Sequence, residues 1–405
     1  MPRTIAICLF LSWLLPAAAR AESKFSAEFV FPLNDEHNHA PAIVECPNGD
    51  LLASWYRGSG ERSADDVRIL GARMHKGEST WSVEFLMADT PGFPDCNTAM
   101  MIDKNKRLWL FWPTIIANTW ESAVTNYMTS TDYEGDGAPR WEWKDQIYLK
   151  PDDFKEEFLD HVNNHLGNKQ PLSEKQLQFL QLAKDTAGDK MFQRFGWMPR
   201  CKPTVLKSGR ILMPLYTDTY SFSIMAVSDD EGKSWYASRP IIDYGNIQPA
   251  VLQREDGTVV AYMRENGFQD HIRISESSDD GITWGPVKNS VLPNPGSGLD
   301  GVRLNNGHWV LIYNDSTRDR NSLAVSLSED EGRTWRWTRH LEQHESGRYH
   351  YPAIIQGADG TVHAIYTYSV ALSTRSGSRR GIEAARRVRP NLRFFCTVGV
   401  LFLVD

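Results

Sequence analysis

Cysteine is scarce in this chain: five residues in 405, at positions 8, 46, 96, 201 and 396. Their spacing fits no zinc-ligand pattern, which removes the small metal-stapled modules and leaves no metal to be expected. Long apolar runs are missing too. The two longest, Ile5 to Leu15 and Phe394 to Val404, are too short to span a bilayer, so no membrane-spanning segment is expected. Nor is there an excess of positive charge. Lys and Arg total 44 against 51 Asp and Glu, for a net charge of −7. Without a basic surface, nucleic acid is excluded as a partner.

The first residues do carry a signal. Arg3 precedes the apolar run, and Ala19-Arg20-Ala21 is a small-residue cleavage pattern. Residues 1–21 are therefore predicted to be a signal peptide, with export to a periplasmic or extracellular space. Four cysteines would remain, compatible with one disulfide or with free buried thiols.

What the chain has in abundance is one short motif. Ser228-Asp-Asp-Glu-Gly232-Lys-Ser-Trp235, Ser277-Ser-Asp-Asp-Gly281-Ile-Thr-Trp284 and Ser328-Glu-Asp-Glu-Gly332-Arg-Thr-Trp335 all fit Ser-x-Asp-x-Gly-x-Ser/Thr-Trp. Their first serines lie 49 and 51 residues apart. The Asp accepts hydrogen bonds from its own turn, the Gly supplies a positive φ, and the Trp fills space between sheets. A period near 50 in a β-rich chain predicts propeller blades, with the boxes as turn staples remote from any chemistry. Worn copies end at Trp81 and Trp141. Turn dipeptides before apolar runs, such as Asn48-Gly49, Asp256-Gly257, Asn306-Gly307 and Asp359-Gly360, add hairpins at the same period. The expected fold is all-β, a six-bladed β-propeller with Asp-box turns over residues 22–370.

Residues 152–195 interrupt the period. Phe154, Phe158, Leu159, Val162 and Leu166 recur at helical spacing behind Asp152 as N-cap, and Ser173-Glu-Lys-Gln176 is a capping box. A helical hairpin inserted into the β frame is predicted, either a lid over the propeller mouth or a rim decoration. Residues 371–405 differ again: seven arginines between 375 and 393, then the second apolar run. This tail is expected to lie outside the fold.

The boxes, the period and the hairpins together resemble the sialidase superfamily, in particular its bacterial exported BNR-repeat proteins. The resemblance extends over roughly residues 30–370 and includes His37-Asn38-His39-Ala40-Pro41, Gly245-Asn246-Ile247-Gln248-Pro249 and Tyr349-His350-Tyr351-Pro352. It implies an exo-glycoside hydrolase that removes a terminal acidic sugar from a glycan, working as a monomer without cofactor. It also implies a Tyr nucleophile, a family exception among glycosidases. Tyr351 matches that position, Arg264 and Arg320 match two of the three carboxylate-binding arginines, and Tyr349 falls among the substrate-binding positions. His39 stands where the first arginine is expected, Thr367 where its supporting Glu is expected, and Gln248 where the Glu that activates the Tyr is expected. An amide cannot take a proton, so His39 becomes the candidate base for Tyr351. The acid falls in the loop holding Glu61, Asp65 and Asp66, with the choice among them open. Two other functions fit the departures: hydrolysis of another anionic sugar such as a uronate, and carbohydrate binding without catalysis.

Overall fold

The computed structural model describes residues 26–32, 34–166, 173–370 and 393–398. The signal-peptide expectation and most of the 371–405 tail fall outside these residues. The fold is an all-β propeller with few helices, built from six antiparallel sheets. The first runs through His37–Glu45, Leu51–Gly58, Arg68–Met74 and Phe85–Ala88. The second contains Ala99–Ile102, Leu108–Ile115, Ala123–Ser130 and Trp143–Gln146. The third is centred on Ile211–Thr217 and Phe222–Ser228, the fourth on Asn246–Gln253 and Val259–Glu265, and the fifth on Trp309–Asn314 and Ser322–Ser328. These five sheets are each made of strands consecutive in the chain.

The sixth sheet is composite. Gly347–Gln356 pairs with Val362–Val370, which pairs with Arg393–Val398, which in turn pairs with Glu28–Phe29 from the other end of the chain. This differs from expectation: residues 393–398 of the tail lie inside the fold, and the N-terminal strand Glu28–Phe29 docks on them. Val362–Val370 would otherwise present an open row of backbone donors and acceptors, and a β-prone stretch such as Arg-Phe-Phe-Cys-Thr-Val satisfies it.

The core is divided among the seams between sheets. Tyr56, Met100 and Trp112 pack between the first and second sheets, and Phe111 and Phe222 between the second and third. Leu212 and Val259 lie in the next seam, then Tyr262 and Trp309, then Ile312 and Ile354. Trp55 and Ile365 join the first sheet to the sixth. Among the described residues no helix is long and apolar enough to cross a membrane.

The boxes fold as their chemistry requires. Ser228 Oγ donates to Asp230 and accepts from the Gly232 amide, and Asp230 accepts from the amide and the hydroxyl of Ser234. The same bonds recur at Asp279 and Asp330. Bonds from Ser234 hold the Asp230 carboxyl down to about 2. Gly332 has φ 81° and lies against Trp309 of its own sheet and Tyr262 of the preceding one, so that a methyl group there would strike the Tyr262 hydroxyl. Each motif Trp packs across a seam: Trp235 onto Trp109 and Phe111, Trp335 onto Tyr262.

The insertion is helical: α1 at Phe154–His161, α2 at Glu174–Thr186 and α3 at Lys190–Arg194. Ser173 and Gln176 form the expected capping box of α2. The start of α1 differs from expectation. Asp153, at φ 51°, takes the N-cap place with no side-chain cap, while the Asp152 carbonyl accepts from Arg239. Phe154 and Phe158 pack on Tyr220 and Phe222 of the third sheet, and Phe179 on Tyr244. The insertion thus buttresses the rim beside the third sheet. It joins the outer strand of one sheet to the inner strand of the next, which puts it at the same end of the propeller as the site below.

Candidate active site

Three inner strands begin with the same interruption. In His39-Ala40-Pro41, Ile247-Gln248-Pro249 and His350-Tyr351-Pro352 the ladder register breaks, and the central residue has φ of 48°, 55° and 46° respectively. Such values are unusual for residues with a Cβ, and bulges of this kind re-aim side chains. The proline that follows has no N–H to lose from the broken ladder. Strain repeated at one level of three sheets marks a functional end of the molecule.

At that end Tyr351 is the hub. Its hydroxyl receives a hydrogen bond from Arg264 Nη1 at 3.1 Å and lies 3.4 Å from Gln248 Nε2. The same guanidinium reaches Gln248 Oε1 at 3.3 Å and Asn266 Oδ1 at 3.1 Å. Arg320 lies 6.0 Å from the ring centroid, donating to the Gly296 carbonyl at 2.6 Å and to His350 Nδ1 at 2.8 Å. Receiving that bond requires a neutral His350; burial and then the Arg320 charge push it down to about 3. Burial and the Arg264 charge lower Arg320 to about 10. Among the described residues neither Arg264 nor Arg320 has a carboxylate within ion-pair distance.

His39 occupies the place expected for the first arginine, and its Nδ1 meets Thr367 Oγ1 at 3.1 Å. The two departures are therefore partners: a neutral imidazole–hydroxyl pair stands where a charged pair was expected. The His39 ring packs edge-on against Tyr351 with centroids 4.5 Å apart. Burial, helped by His37, His350, Arg320 and Arg200, holds His39 well below the ordinary imidazole range. The candidate base His39 therefore lacks the near-neutral titration of an ordinary imidazole. It is neutral at neutral pH, but weakly basic.

The acid loop resolves unevenly. Asp66 caps the Ser59 amide and hydroxyl, and Asp65 accepts from Asn118; both are tied to surface turns. Glu61 turns inward, accepting from the Tyr56 hydroxyl at 2.8 Å and from Arg62 at 3.3 Å. Tyr349 is a correction. It is 1% exposed and packs against Tyr366 and Tyr368 in the fifth–sixth seam, one residue out of phase with the site.

Three contributors were missed in the sequence. Arg200, 1% exposed, sets its guanidinium 4.9 Å from the Tyr351 centroid and donates to the Pro352 carbonyl at 2.8 Å. Its Nε and Nη1 are buried without hydrogen-bond partners among the described residues. Asp218 follows the third sheet's Ile211–Thr217 strand, and burial, opposed by the Arg264 charge, pushes its carboxyl up to about 6. Gly298 leaves room for the Tyr351 ring. Of the three, only Gly298 closes a Pro- and Gly-rich stretch, Pro293-Asn-Pro-Gly-Ser-Gly298, of the kind that marks a turn.

A family model described as a BNR repeat-like domain matches residues 49–165 and 183–364. Among solved structures, a protein of unknown function from Dyadobacter fermentans superposes with TM-score 0.66 at 15% identity, covering 95% of this chain and 100% of that one. The NanB sialidase from Streptococcus pneumoniae gives TM-score 0.63 at 13% identity, over 93% of this chain and 70% of that one. A leech intramolecular trans-sialidase gives 0.60 at 13%, over 82% and 64%. At these identities the likeness is one of fold.

Proposed function

From the premise that this chain belongs to the BNR repeat-like domain family, a sialidase-like group, we propose that it is an exported exo-glycoside hydrolase that removes a terminal acidic sugar, of the sialic acid type, from a glycan. The six sheets act in this reading as the six blades of a sialidase-type propeller. One observation carries it: Arg264 donates to the Tyr351 hydroxyl, Arg320 lies over the Tyr351 ring, and among the described residues neither has a carboxylate within ion-pair distance. Two desolvated guanidinium groups side by side repel each other, and a ligand carboxylate bound between them reverses that cost through bidentate bonds.

With the carboxylate held there, the anomeric carbon faces Tyr351. Its oxygen attacks that carbon while the bond to the leaving sugar breaks. The donors on the Tyr351 oxygen, Arg264 and Gln248, stabilise charge that collects on it as it leaves again. No Glu stands beside it to take the phenolic proton, so turnover is expected to be slow. Glu61, the loop carboxyl that turns inward, supplies the acid in this reading.

The test is release of fluorophore from an aryl α-sialoside and an aryl β-glucuronide by the purified protein, with Tyr351→Phe as control. Sialoside turnover lost in the control supports the proposal. Turnover of the glucuronide alone shifts the substrate to a uronate. The amide of Gln248 favours a second reading, in which the site binds an acidic glycan without cleaving it. Saturable binding of sialyl-lactose with no turnover of either substrate would select that one.

A further inference from the structure

Tyr351 sits where its ladder is broken. His350 pairs with Thr367 and Ala353 with Ile365, and the backbone between them is left out of the pairing. Arg200 fills part of that gap: its Nη2 donates to the Pro352 carbonyl at 2.8 Å. Arg200 directly follows Met198–Pro199 of the third sheet, whereas Pro352 belongs to the sixth, and no seam of the core joins those two sheets. The side chain therefore reaches through the middle of the propeller. There its guanidinium lies over the Tyr351 ring, 4.9 Å from the centroid, and is 1% exposed. Among the described residues it forms no ion pair, and its Nε and Nη1 find no acceptor. As a structural tie this is a poor choice. An uncompensated buried cation is costly, and an apolar side chain would fill the same space without that cost. What the charge meets is the face of the Tyr351 ring. A cation over a ring gains most when the ring itself carries negative charge, as a tyrosine does once its oxygen is released as a phenolate.

We propose that Arg200 is a positioning residue that acts through Tyr351, fixing its backbone and stabilising the phenolate set free when the glycosyl–Tyr351 bond breaks; this rests on the hydrolase reading above. In that step water attacks the anomeric carbon as the bond to the Tyr351 oxygen breaks. The electron pair of that bond passes to the oxygen, and the attacking water gives its proton to the carboxylate left by the first half. The phenolate then takes a proton from solvent. Beside a carboxylic acid it would be protonated as it left, but the amide of Gln248 has no such proton to give. The charge is therefore carried in full, on the oxygen by the donors Arg264 and Gln248 and on the ring by Arg200.

The step is isolated by forming the glycosyl–enzyme first, with a sialosyl fluoride that carries a second fluorine at C3, and timing its hydrolysis by intact mass. In the full-length protein, Arg200→Gln keeps a donor for Pro352 but loses the charge, and is expected to lengthen the life of the adduct about 10²-fold. Arg200→Lys keeps the charge and is expected to recover at least about tenfold of that loss. An adduct lifetime in Arg200→Gln equal to that of wild type would overturn the assignment. So would an Arg200→Lys adduct as long-lived as that of Arg200→Gln, since shape rather than charge would then matter. If Arg200→Gln does not fold, Arg200→Met takes its place in the comparison. A wild type that neither forms the adduct nor turns over the aryl sialoside sinks the hydrolase reading, and this assignment with it. A wild-type adduct whose lifetime is indifferent to Arg200 sinks this assignment alone.

Discussion

Gly298 and Tyr351 are packed so closely that a methyl group on Gly298 would sit 2.5 Å from the Tyr351 ring and 3.3 Å from Gln248 Oε1. The ring cannot yield easily, since Arg200 lies against it and His39 abuts it edge-on. Gly298→Ala is therefore expected to displace Tyr351, costing about 1–3 kcal/mol of stability and at least about tenfold in kcat. Paired denaturant titrations and kinetics check this; an unchanged rate would mean that Tyr351 is not held in place by this contact.

Gln248 lies between Arg264 and the Tyr351 hydroxyl, where a carboxylate would serve as base. Gln248→Glu is expected to raise kcat on an aryl sialoside by about tenfold or more. KM should rise as well, because the new carboxylate competes with substrate for Arg264. A kcat that stays flat would argue that proton removal from Tyr351 does not limit the reaction.

Glu265 is 3% exposed, accepts from the Gly267 amide, and has one oxygen without a hydrogen-bond partner. Burial pushes it up to about 7, with Arg273 opposing and Asp270 adding. A carboxyl raised on folding contributes stability that is complete below its unfolded pKa near 4.5 and is lost as pH rises through about 7. Glu265→Gln should remove that loss, gaining up to about 3 kcal/mol over wild type at pH 8.5 relative to pH 4. Chemical denaturation at the two pH values measures it, and equal differences at both would refute the coupling.

The strand Arg393–Val398 covers the Val362–Val370 edge over six paired residues. Truncation after Val370 is expected to lower stability by about 3 kcal/mol or more and to promote self-association through the exposed edge. Thermal melts and light scattering follow both; a truncated chain as stable and monomeric as the full one would show that this pairing contributes nothing.

The local parts of this protein were determined by its sequence. The Asp boxes, the Asn-Gly and Asp-Gly hairpins and the Ser173 capping box were legible because their bonds close within a few residues, and because the positive φ in these turns favours glycine. Tyr351, Arg264 and Arg320 could be singled out by the resemblance to the sialidase superfamily that those turns help to carry. The tertiary structure alone decided what depends on which sheets meet at the mouth. It placed Arg200 against Tyr351 from a segment with no signal of its own, turned Glu61 inward while tying Asp65 and Asp66 to surface turns, and buried Tyr349 one residue from Tyr351. It also set the charge states of His39, His350 and Asp218. Burial and neighbouring charge fix those, and both come from residues tens to hundreds of positions away, which spacing along one chain cannot bring together.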